Sequence, residues 1–260
     1  IYTLTILYCS EFKENIYYQN KEVFKWIIAA VRFLNSIQNK NGAFNEYYQN
    51  ESSFVCTSFV TIALAKTYIL FQESSSLPKD VSYLIQTILN KSSNWLTKNL
   101  DDEVSNQLAG SAYALSLTSK ILNDQTFQKV AHKRLQLLLS KQSQEGWWSE
   151  YGGPDIGYLS VTIDYLAKYR ELNNDKSFEN QITNAINFLK CFLHPDYSVG
   201  GEYTSRNTEY LIPSGFSLLS DIKEANGIIG TIELGLKNKK GFMPKLLDDR
   251  YICNILYYWL

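Results

Sequence analysis

The chain has 260 residues, of which 25 are basic and 26 acidic, and this gives a net charge of −1 at pH 7. So balanced a charge gives no electrostatic reason to expect binding to nucleic acid, and we expect no nucleic-acid partner. Hydrophobic residues make up 45% and charged residues 20% of the sequence, which is typical of a globular protein. We expect a single domain over residues 1–260, and the 19 tyrosines indicate an aromatic surface or cleft that is wetted on one side.

The first segment, Ile1 to Cys9, is apolar but too short to span a bilayer, and no later run reaches the roughly 18 uncharged apolar residues that a transmembrane helix needs. The chain starts at Ile1, and its one methionine is Met243. We therefore expect a truncation at one or both ends, which hides any targeting signal. The interpretation is a soluble protein without a membrane span, with the cytoplasm favoured over other compartments.

Helix patterns succeed one another along the chain in pairs. Apolar residues recur at three- and four-residue spacing from Val23 to Ile37, which predicts an amphipathic outer helix. After the next turn the pattern is more apolar and predicts an inner helix, and similar inner helices recur later. The predicted inner helices span residues 54–70, 110–122, 157–169 and about 208–222. No segment alternates apolar and polar residues as a strand does, so the sequence predicts an all-α fold.

A repeated motif lies between the two helices of a pair. Two copies lie 104 positions apart, and part of the motif recurs 52 positions after the second copy, so the repeat unit has about 52 residues. The copies are Gln38, Gly42, Phe44, Glu46 and Tyr47; Gln142, Gly146, Trp148, Glu150 and Tyr151; and Gly201, Glu202 and Tyr203. The copy expected near residue 98 is degenerate, and residues 241–258 have the pattern of a fifth turn and inner helix.

The order Gln, three residues, Gly, one residue and an aromatic ring resembles the QW-type repeat of the α/α toroid superfamily, which includes terpenoid cyclases and protein prenyltransferases. The resemblance implies an (α/α) toroid of about five to six helix pairs. The strings from Glu150 to Tyr158 and from Gly201 to Tyr210 also resemble those of uncharacterised toroid proteins of bacterial surface-polysaccharide gene clusters. The sequence lacks both the Asp-x-Asp-Asp acid of the cyclases and the Asp-x-Cys zinc ligands of the prenyltransferases.

The four cysteines lie far apart, without a CxxC pair and without a histidine at metal-ligand spacing. A free cysteine usually packs as a small apolar residue. We therefore expect no metal site and no cofactor.

Carboxylates and aromatic rings recur in the turns before the inner helices. If these helices all point the same way in a toroid, their turns meet at one end of the ring. There, carboxylates can accept hydrogen bonds from sugar hydroxyls, and rings can pack against sugar C–H groups. The substrate-binding candidates are Glu46, Tyr47, Trp148, Tyr151, Glu202, Tyr203, Glu209, His194 and Asp164. The alternative is that each glutamate caps the adjoining helix and maintains the repeat.

Two of the turns carry additional residues that suit catalysis. Arg206 offers a planar fork for a uronate carboxylate, Asn207 is a candidate to polarise it, and a tyrosine is a candidate to move the proton beside it. The catalytic candidates are Tyr210, Tyr158, Arg206, Asn207, Glu150 and Asp155. Alternatively, Arg206 pairs with Glu202 or Glu209.

Two further residues have an open role. His194 is either a base or the end of a helix that Pro195 stops. Asp164 lies within an inner helix and faces either the cavity or a neighbouring polar group. In the cavity it would form an acid–base pair with Glu150 or Asp155, as in glycosidases.

These residues lead to the hypothesis of an enzyme that acts on a polysaccharide or oligosaccharide, with its six catalytic candidates in one cleft. A lyase or epimerase of uronates is preferred to a glycosidase. One alternative is a terpenoid-cyclase-like enzyme or lipid binder. The other is a non-catalytic toroid that binds a glycan or a protein on its loop face.

Overall fold

A computed structural model describes residues 1–74 and 77–241 of the chain. The α-helices are α1 Tyr2–Cys9, α2 Lys21–Ile37, α3 Phe54–Ser74, α4 Lys79–Lys98, α5 Ser105–Leu122, α6 Gln125–Ser140, α7 Ile156–Asn173, α8 Glu179–Lys190, α9 Pro213–Leu218 and α10 Lys223–Lys237. Within the two described ranges there is no β-strand, and isolated bridges join Phe44 to Ser53 and Leu193 to Val199. The predicted all-α class is confirmed.

Contacts between Cα atoms divide the chain into two compact units. Unit 1 comprises Ile1–Leu100 and Gly110–His132, and unit 2 comprises Asp101–Ala109 and Lys133–Leu260. The single domain and the closed toroid of helix pairs stay predictions. Most of the predicted fifth turn and inner helix lies outside the described residues.

In unit 1, α3 packs against α1 and α4, and α2 packs against α4 and α1. The helix α2 begins where the Asn20 side chain accepts the N–H of Glu22 (2.9 Å), which satisfies one of the unpaired donors of the first turn. Its buried face is formed by Val23, Ile27 and Val31, at the spacing that the sequence predicts.

Helix α3 is apolar on most of its surface. Its length of 21 residues and its mean hydropathy of 1.7 would allow it to cross a membrane, although half of the stretch is buried by other parts of the protein. Core helices of water-soluble proteins meet the same criterion, so the helix is weak evidence for a span. No other helix of the described residues meets it.

In unit 2, α7 packs against α8 and α9, and α10 packs against both of these. The predicted inner helix near residues 208–222 is wrong at both ends, because α9 already stops at Leu218. Residues 207–212 are not helical, and α9 begins only at Pro213. A proline fits the first turn of a helix, but it disfavours helical backbone in the residue before it, and Ile212 is extended.

The two complete copies of the motif form the same turn. In unit 1, Gln38 Nε2 donates hydrogen bonds to the carbonyl oxygen of Gly42 (2.9 Å) and to one in α4 (3.2 Å). In unit 2, Gln142 Nε2 donates hydrogen bonds to the carbonyl oxygen of Gly146 (2.8 Å) and to a carbonyl oxygen in α8 (2.8 Å). The repeated glutamine therefore ties each turn to the next outer helix.

The two glycines of this turn are required by the backbone. Gly42 and Gly146 have φ angles of 99° and 101°, which L side chains rarely adopt. A Cβ atom would lie 2.3 Å from a carbonyl oxygen of α4 at Gly42 and 2.4 Å from one of α8 at Gly146.

The third copy of the turn is centred on His194. The N–H of Tyr197 donates to the carbonyl oxygen of His194 (2.9 Å). In the second turn, the N–H of Gly146 donates in the same way to the carbonyl oxygen of Ser143 (3.1 Å). Tyr197 therefore replaces the glycine and keeps a positive φ of 71°.

This third turn lies 51 positions after the second, so the predicted offset of 52 is wrong by one residue. Gly201, and not Glu202, is then the counterpart of Glu150. A Cβ on Gly201 would lie 1.7 Å from the carbonyl oxygen of Thr208. The close approach of the neighbouring loop therefore excludes any side chain there.

Packing as small apolar residues predicts that the cysteines are buried. Cys9 and Cys56 are half-buried, whereas Cys191 is exposed at the end of α8. The expectation is wrong for Cys191, and Cys253 lies outside the described residues.

Candidate functional site

Asp155 connects the start of α7 with residues 204–208 of unit 2, here called the 204–208 loop. Its side chain is fully buried, and Oδ1 accepts the N–H of Tyr158 (3.1 Å) as the cap of α7. Oδ2 accepts the hydroxyl of Thr204 (3.1 Å) and the N–H of Arg206 (3.1 Å). Thr208 donates to the same carboxylate through its hydroxyl and its N–H. Asp155 therefore fixes the loop beside Tyr158.

Arg206 is exposed on this loop and lies against two tyrosines. Its Cζ is 4.4 Å from the ring centroid of Tyr151, a contact worth about 1 kcal/mol at an exposed site. The ring centroids of Tyr151 and Tyr158 are 6.2 Å apart. Gln107 Nε2 donates to the hydroxyl of Tyr151 (3.3 Å). These four side chains are called the Arg206 cluster below.

Within the Arg206 cluster, Tyr158 is half-buried. Burial raises the pKa of Tyr158 above its ordinary value and the nearby Tyr151 adds to the rise, whereas the charge of Arg206 and a hydrogen bond with it lower the pKa. The phenol is therefore protonated at neutral pH and can donate a proton.

In the described part of the chain, Arg206 does not form an ion pair with either of its two predicted alternative partners. Glu202 and Glu209 are both exposed, and among the described residues neither forms an ion pair with Arg206. The guanidinium therefore keeps an exposed position on the tyrosines, where a carboxylate of a ligand could reach it.

Tyr210 and Asn207 border the same loop. The Tyr210 ring lies beside α7, and its Cζ would be 3.0 Å from a Cβ on Gly157, so this glycine makes room for the ring. Asn207 is exposed and has a φ of 55°, a conformation that asparagine tolerates better than most residues. Tyr158, Arg206, Asn207, Tyr210 and Asp155 are thus brought together, and their common cleft stays a prediction.

Glu150 and Trp148 are fully buried in the turn before α7. Glu150 accepts hydrogen bonds from the backbone N–H (2.8 Å) and side-chain amide (2.7 Å) of Asn106 and from Thr162 (3.3 Å). Burial raises the pKa of Glu150 to about 8, although these hydrogen bonds oppose the rise. Trp148 donates from Nε1 to the carbonyl oxygen of Leu138 (2.8 Å). Both side chains hold the turn, and their roles toward substrate stay predictions.

Asp164 faces neighbouring polar groups, the second of the two predicted environments. It is fully buried and accepts hydrogen bonds from Lys168 Nζ (2.7 Å) and from the hydroxyl of Ser214 (2.5 Å). Its carboxylate therefore joins α7 to α9.

His194 lies in the third turn of unit 2, in contact with Tyr203. The centroids of the two rings are 6.2 Å apart, and the ring planes are inclined to each other by 66°. His194 Nδ1 is 2.9 Å from the hydroxyl of Ser198, which donates to Asp196 (2.7 Å). Tyr203 is 72% exposed, so this pair borders solvent.

In unit 1, Tyr47 and Tyr48 form an exposed aromatic pair. They are 67% and 75% exposed, with ring centroids 6.4 Å apart. The loop is held by Glu51, whose carboxylate accepts the N–H of Glu46 (2.7 Å) and of Tyr47 (2.9 Å). Glu46 is exposed, and Ser53 donates to its carboxylate (3.3 Å). Glu46 and Tyr47 thus belong to a different unit from the other candidates.

Within residues 1–74 and 77–241, no group of three or more His, Cys, Asp or Glu side chains is arranged to hold a metal ion.

The family model of the ulvan lyase N-terminal domain matches residues 1–211. The chain belongs to this family. It is therefore a polysaccharide-lyase-related helical protein. The family match includes the whole Arg206 cluster and Tyr210, and it ends before α9. No curated protein and no solved structure matches the chain. The resemblance to terpenoid cyclase toroids stays a prediction.

Several residues that build the site were not predicted from the sequence. They are Gln107, Asn106, Thr204, Ser205, Thr208, Ser198 and Asp196. Asn106 and Gln107 come after the degenerate copy of the motif, where no repeat pattern pointed to them. The signal for Thr204, Ser205 and Thr208 was their place beside Arg206, in a turn already singled out.

Proposed function

We propose that this chain is a lyase that cleaves a uronate-containing polysaccharide by β-elimination, with Arg206 and Tyr158 at its reaction centre. The observation that carries the proposal is the Arg206 cluster. It places an exposed guanidinium beside a protonated phenol, on a loop that a buried carboxylate holds in position. Membership of the ulvan lyase N-terminal domain family supports a polysaccharide substrate.

The first requirement of the reaction is a more acidic C5 proton. A uronate carboxylate withdraws electrons from C5 only weakly while it is ionised, and a bidentate guanidinium neutralises it. Arg206 supplies this fork. Its backbone N–H is bonded to Asp155 (3.1 Å), so the loop that presents the guanidinium is ordered before substrate arrives.

The second requirement is a proton for the leaving oxygen on C4. Tyr158 is the proton donor in this proposal because burial raises its pKa and keeps it protonated at neutral pH. The ring of Tyr151 is 50% exposed and offers an apolar surface for the C–H groups of a sugar.

The proposal is tested with ulvan and with a panel of uronate-containing and neutral polysaccharides. New C4=C5 double bonds, detected by ultraviolet absorbance, are the expected product, and they should be lost in Arg206→Ala while its circular dichroism spectrum is unchanged. Proton exchange at C5 in heavy water without a double bond would indicate an epimerase instead. New reducing ends without a double bond would indicate a glycosidase.

A second candidate function is glycan binding without catalysis by unit 1. It is favoured by the exposed pair of Tyr47 and Tyr48 on a loop that Glu51 holds. Adjacent exposed rings of this kind suit the apolar faces of sugars. Binding of ulvan by the full chain that is lost in Tyr47→Ala, with no product formed by the wild type, would support this function.

A further inference from the structure

Three residues of the third turn form a hydrogen-bonded chain that ends on a histidine nitrogen. The hydroxyl of Ser198 donates to Asp196 Oδ1 (2.7 Å), and the same oxygen of Ser198 lies 2.9 Å from His194 Nδ1. The N–H of Ser198 also donates to Asp196 Oδ1 (3.1 Å). The serine is therefore held at two points in one orientation.

This geometry determines the tautomer of His194. A hydroxyl has a single proton, and that of Ser198 is directed at Asp196. Its oxygen can then only accept a hydrogen bond from His194, so Nδ1 carries the proton of the neutral ring. Nε2 must therefore carry the lone pair.

Nε2 lies beside the buried backbone of Gly200 and the ring of Tyr203. It lies 3.0 Å from the position that a Cβ would take on Gly200, and the ring of Tyr203 lies 3.1 Å from the same position. No side chain occupies that position, because residue 200 is a glycine. Tyr203 itself is 72% exposed, so a sugar ring can approach this pair from solvent.

The histidine is connected to the Arg206 cluster through contacts of Tyr203, Thr204 and Arg206. Tyr203, which contacts His194, precedes Thr204, and Thr204 donates to the Asp155 carboxylate that also binds the N–H of Arg206. An elimination needs a proton acceptor as well as a donor, and Tyr158 provides only the donor.

We propose that His194 Nε2 is the proton acceptor of the elimination and that Ser198 and Asp196 are positioning residues that hold the proton of the neutral ring on Nδ1. The inference rests on the proposed lyase function. The C5–H bond breaks as its proton passes to Nε2, and its electron pair forms the C4=C5 double bond. The C4–O4 bond breaks with its electron pair on O4, which takes the proton of Tyr158. The imidazolium and the phenolate then exchange protons with water.

The tautomer is tested without any substrate. The sequence contains two histidines, and His132, exposed on α6, serves as the internal reference. Nitrogen-15 NMR of the neutral imidazoles should show the proton of His194 on Nδ1, and Ser198→Ala should move it towards Nε2 while the signals of His132 stay unchanged. A proton on Nε2 in the wild type would overturn the inference.

The proton transfer is tested by the rate of double-bond formation. His194→Gln should lower kcat about 100-fold or more, the matched His132→Gln should not, and free imidazole should restore part of the activity of His194→Ala. Gly200→Ala, which places a methyl group beside Nε2, should lower kcat more than it changes KM. A wild-type rate in His194→Gln would overturn the inference.

The two proposals fail in different ways. An inactive wild type with the expected tautomer contradicts the lyase function, and the role of His194 as acceptor then falls with it. An active wild type with an unaffected His194→Gln contradicts only the inference about His194.

Discussion

The turn that begins at Gln38 in unit 1 and the turn that begins at Gln142 in unit 2 share their scaffold and differ in the residues beyond it. In both, the glutamine donates to two carbonyl oxygens and the glycine has a positive φ. Four residues after the glycine, however, Glu46 is exposed, whereas Glu150 is fully buried. The repeat therefore keeps the turn and leaves the next residues to take different roles.

The loops beyond these turns differ in the same way. In unit 1 an exposed carboxylate, Glu51, accepts two backbone N–H groups. In unit 2 the buried carboxylate of Asp155 accepts hydrogen bonds from Thr204, Arg206 and Thr208 and caps α7. Only the second arrangement holds a guanidinium against tyrosines, which is why we place the chemistry in unit 2.

The largest expected difference between the two glutamates is the pH dependence of stability. A rise in the pKa of Glu150 from 4.5 to about 8 corresponds to at most about 5 kcal/mol. Because the folded state binds this proton more tightly, the stabilisation is fully present below pH 4.5 and is lost as the pH rises towards 8. Urea denaturation between pH 5 and 8 should show this loss in the wild type and a flatter profile in Glu150→Gln. The matched Glu46→Gln should keep the wild-type profile, and an unchanged slope in Glu150→Gln would contradict the prediction.

The next largest effect concerns the two carboxylates that hold the loops. Asp155→Asn replaces a buried, charged carboxylate that accepts several hydrogen bonds. The variant should therefore have a free energy of unfolding lower by about 4 kcal/mol. Glu51→Gln should have a clearly smaller effect because its carboxylate is exposed. Urea denaturation measures both, and equal losses would mean that the buried carboxylate does not hold the 204–208 loop more firmly.

The glycines of the two turns should behave alike. Gly42→Ala and Gly146→Ala should each lower the free energy of unfolding by about 2–3 kcal/mol, because the backbone is left-handed and a Cβ meets a carbonyl oxygen. Gly152 is a control with a φ of 92° and no atom within 4 Å of its Cβ position, so Gly152→Ala should cost only about 1 kcal/mol. A tolerated alanine at one of the two turn glycines would contradict their equivalence.

The smallest effect is expected for the glutamines. Gln38→Ala and Gln142→Ala each remove one donor of two hydrogen bonds and should lower the free energy of unfolding by about 1 kcal/mol. Thermal denaturation of both variants checks this. A loss of stability in only one of them would show that the glutamine does not stabilise the two turns equally.

Much of the fold could be predicted because helical periodicity and the repeated turn are local signals. The α2 pattern from Val23 to Ile37 and the apolar pattern of α7 both predicted helices that are present. The inner helix near Thr208 was wrong because Pro213 and the close approach of the loop to Gly201 override its apolar pattern.

The site was harder to predict because it depends on contacts between residues far apart in sequence. Arg206 and Tyr158 were singled out from the additional residues of their turns. Their connection through Asp155, however, spans about 50 residues and left no periodic signal. The position of Glu150 could not be inferred either, because the string Glu-Tyr is the same where Glu46 is exposed and where Glu150 is buried.

The central claim is that the Arg206 cluster of unit 2 carries a lyase activity. The most direct measurement is kcat/KM for double-bond formation on ulvan in two matched pairs of variants, Arg206→Lys with Arg32→Lys and Tyr158→Phe with Tyr83→Phe. Arg32 and Tyr83 are exposed residues of unit 1. The account predicts a loss of about 100-fold in Arg206→Lys and Tyr158→Phe and wild-type values in the other two. Equal activity within each pair, in an enzyme that forms the double bond, would contradict it.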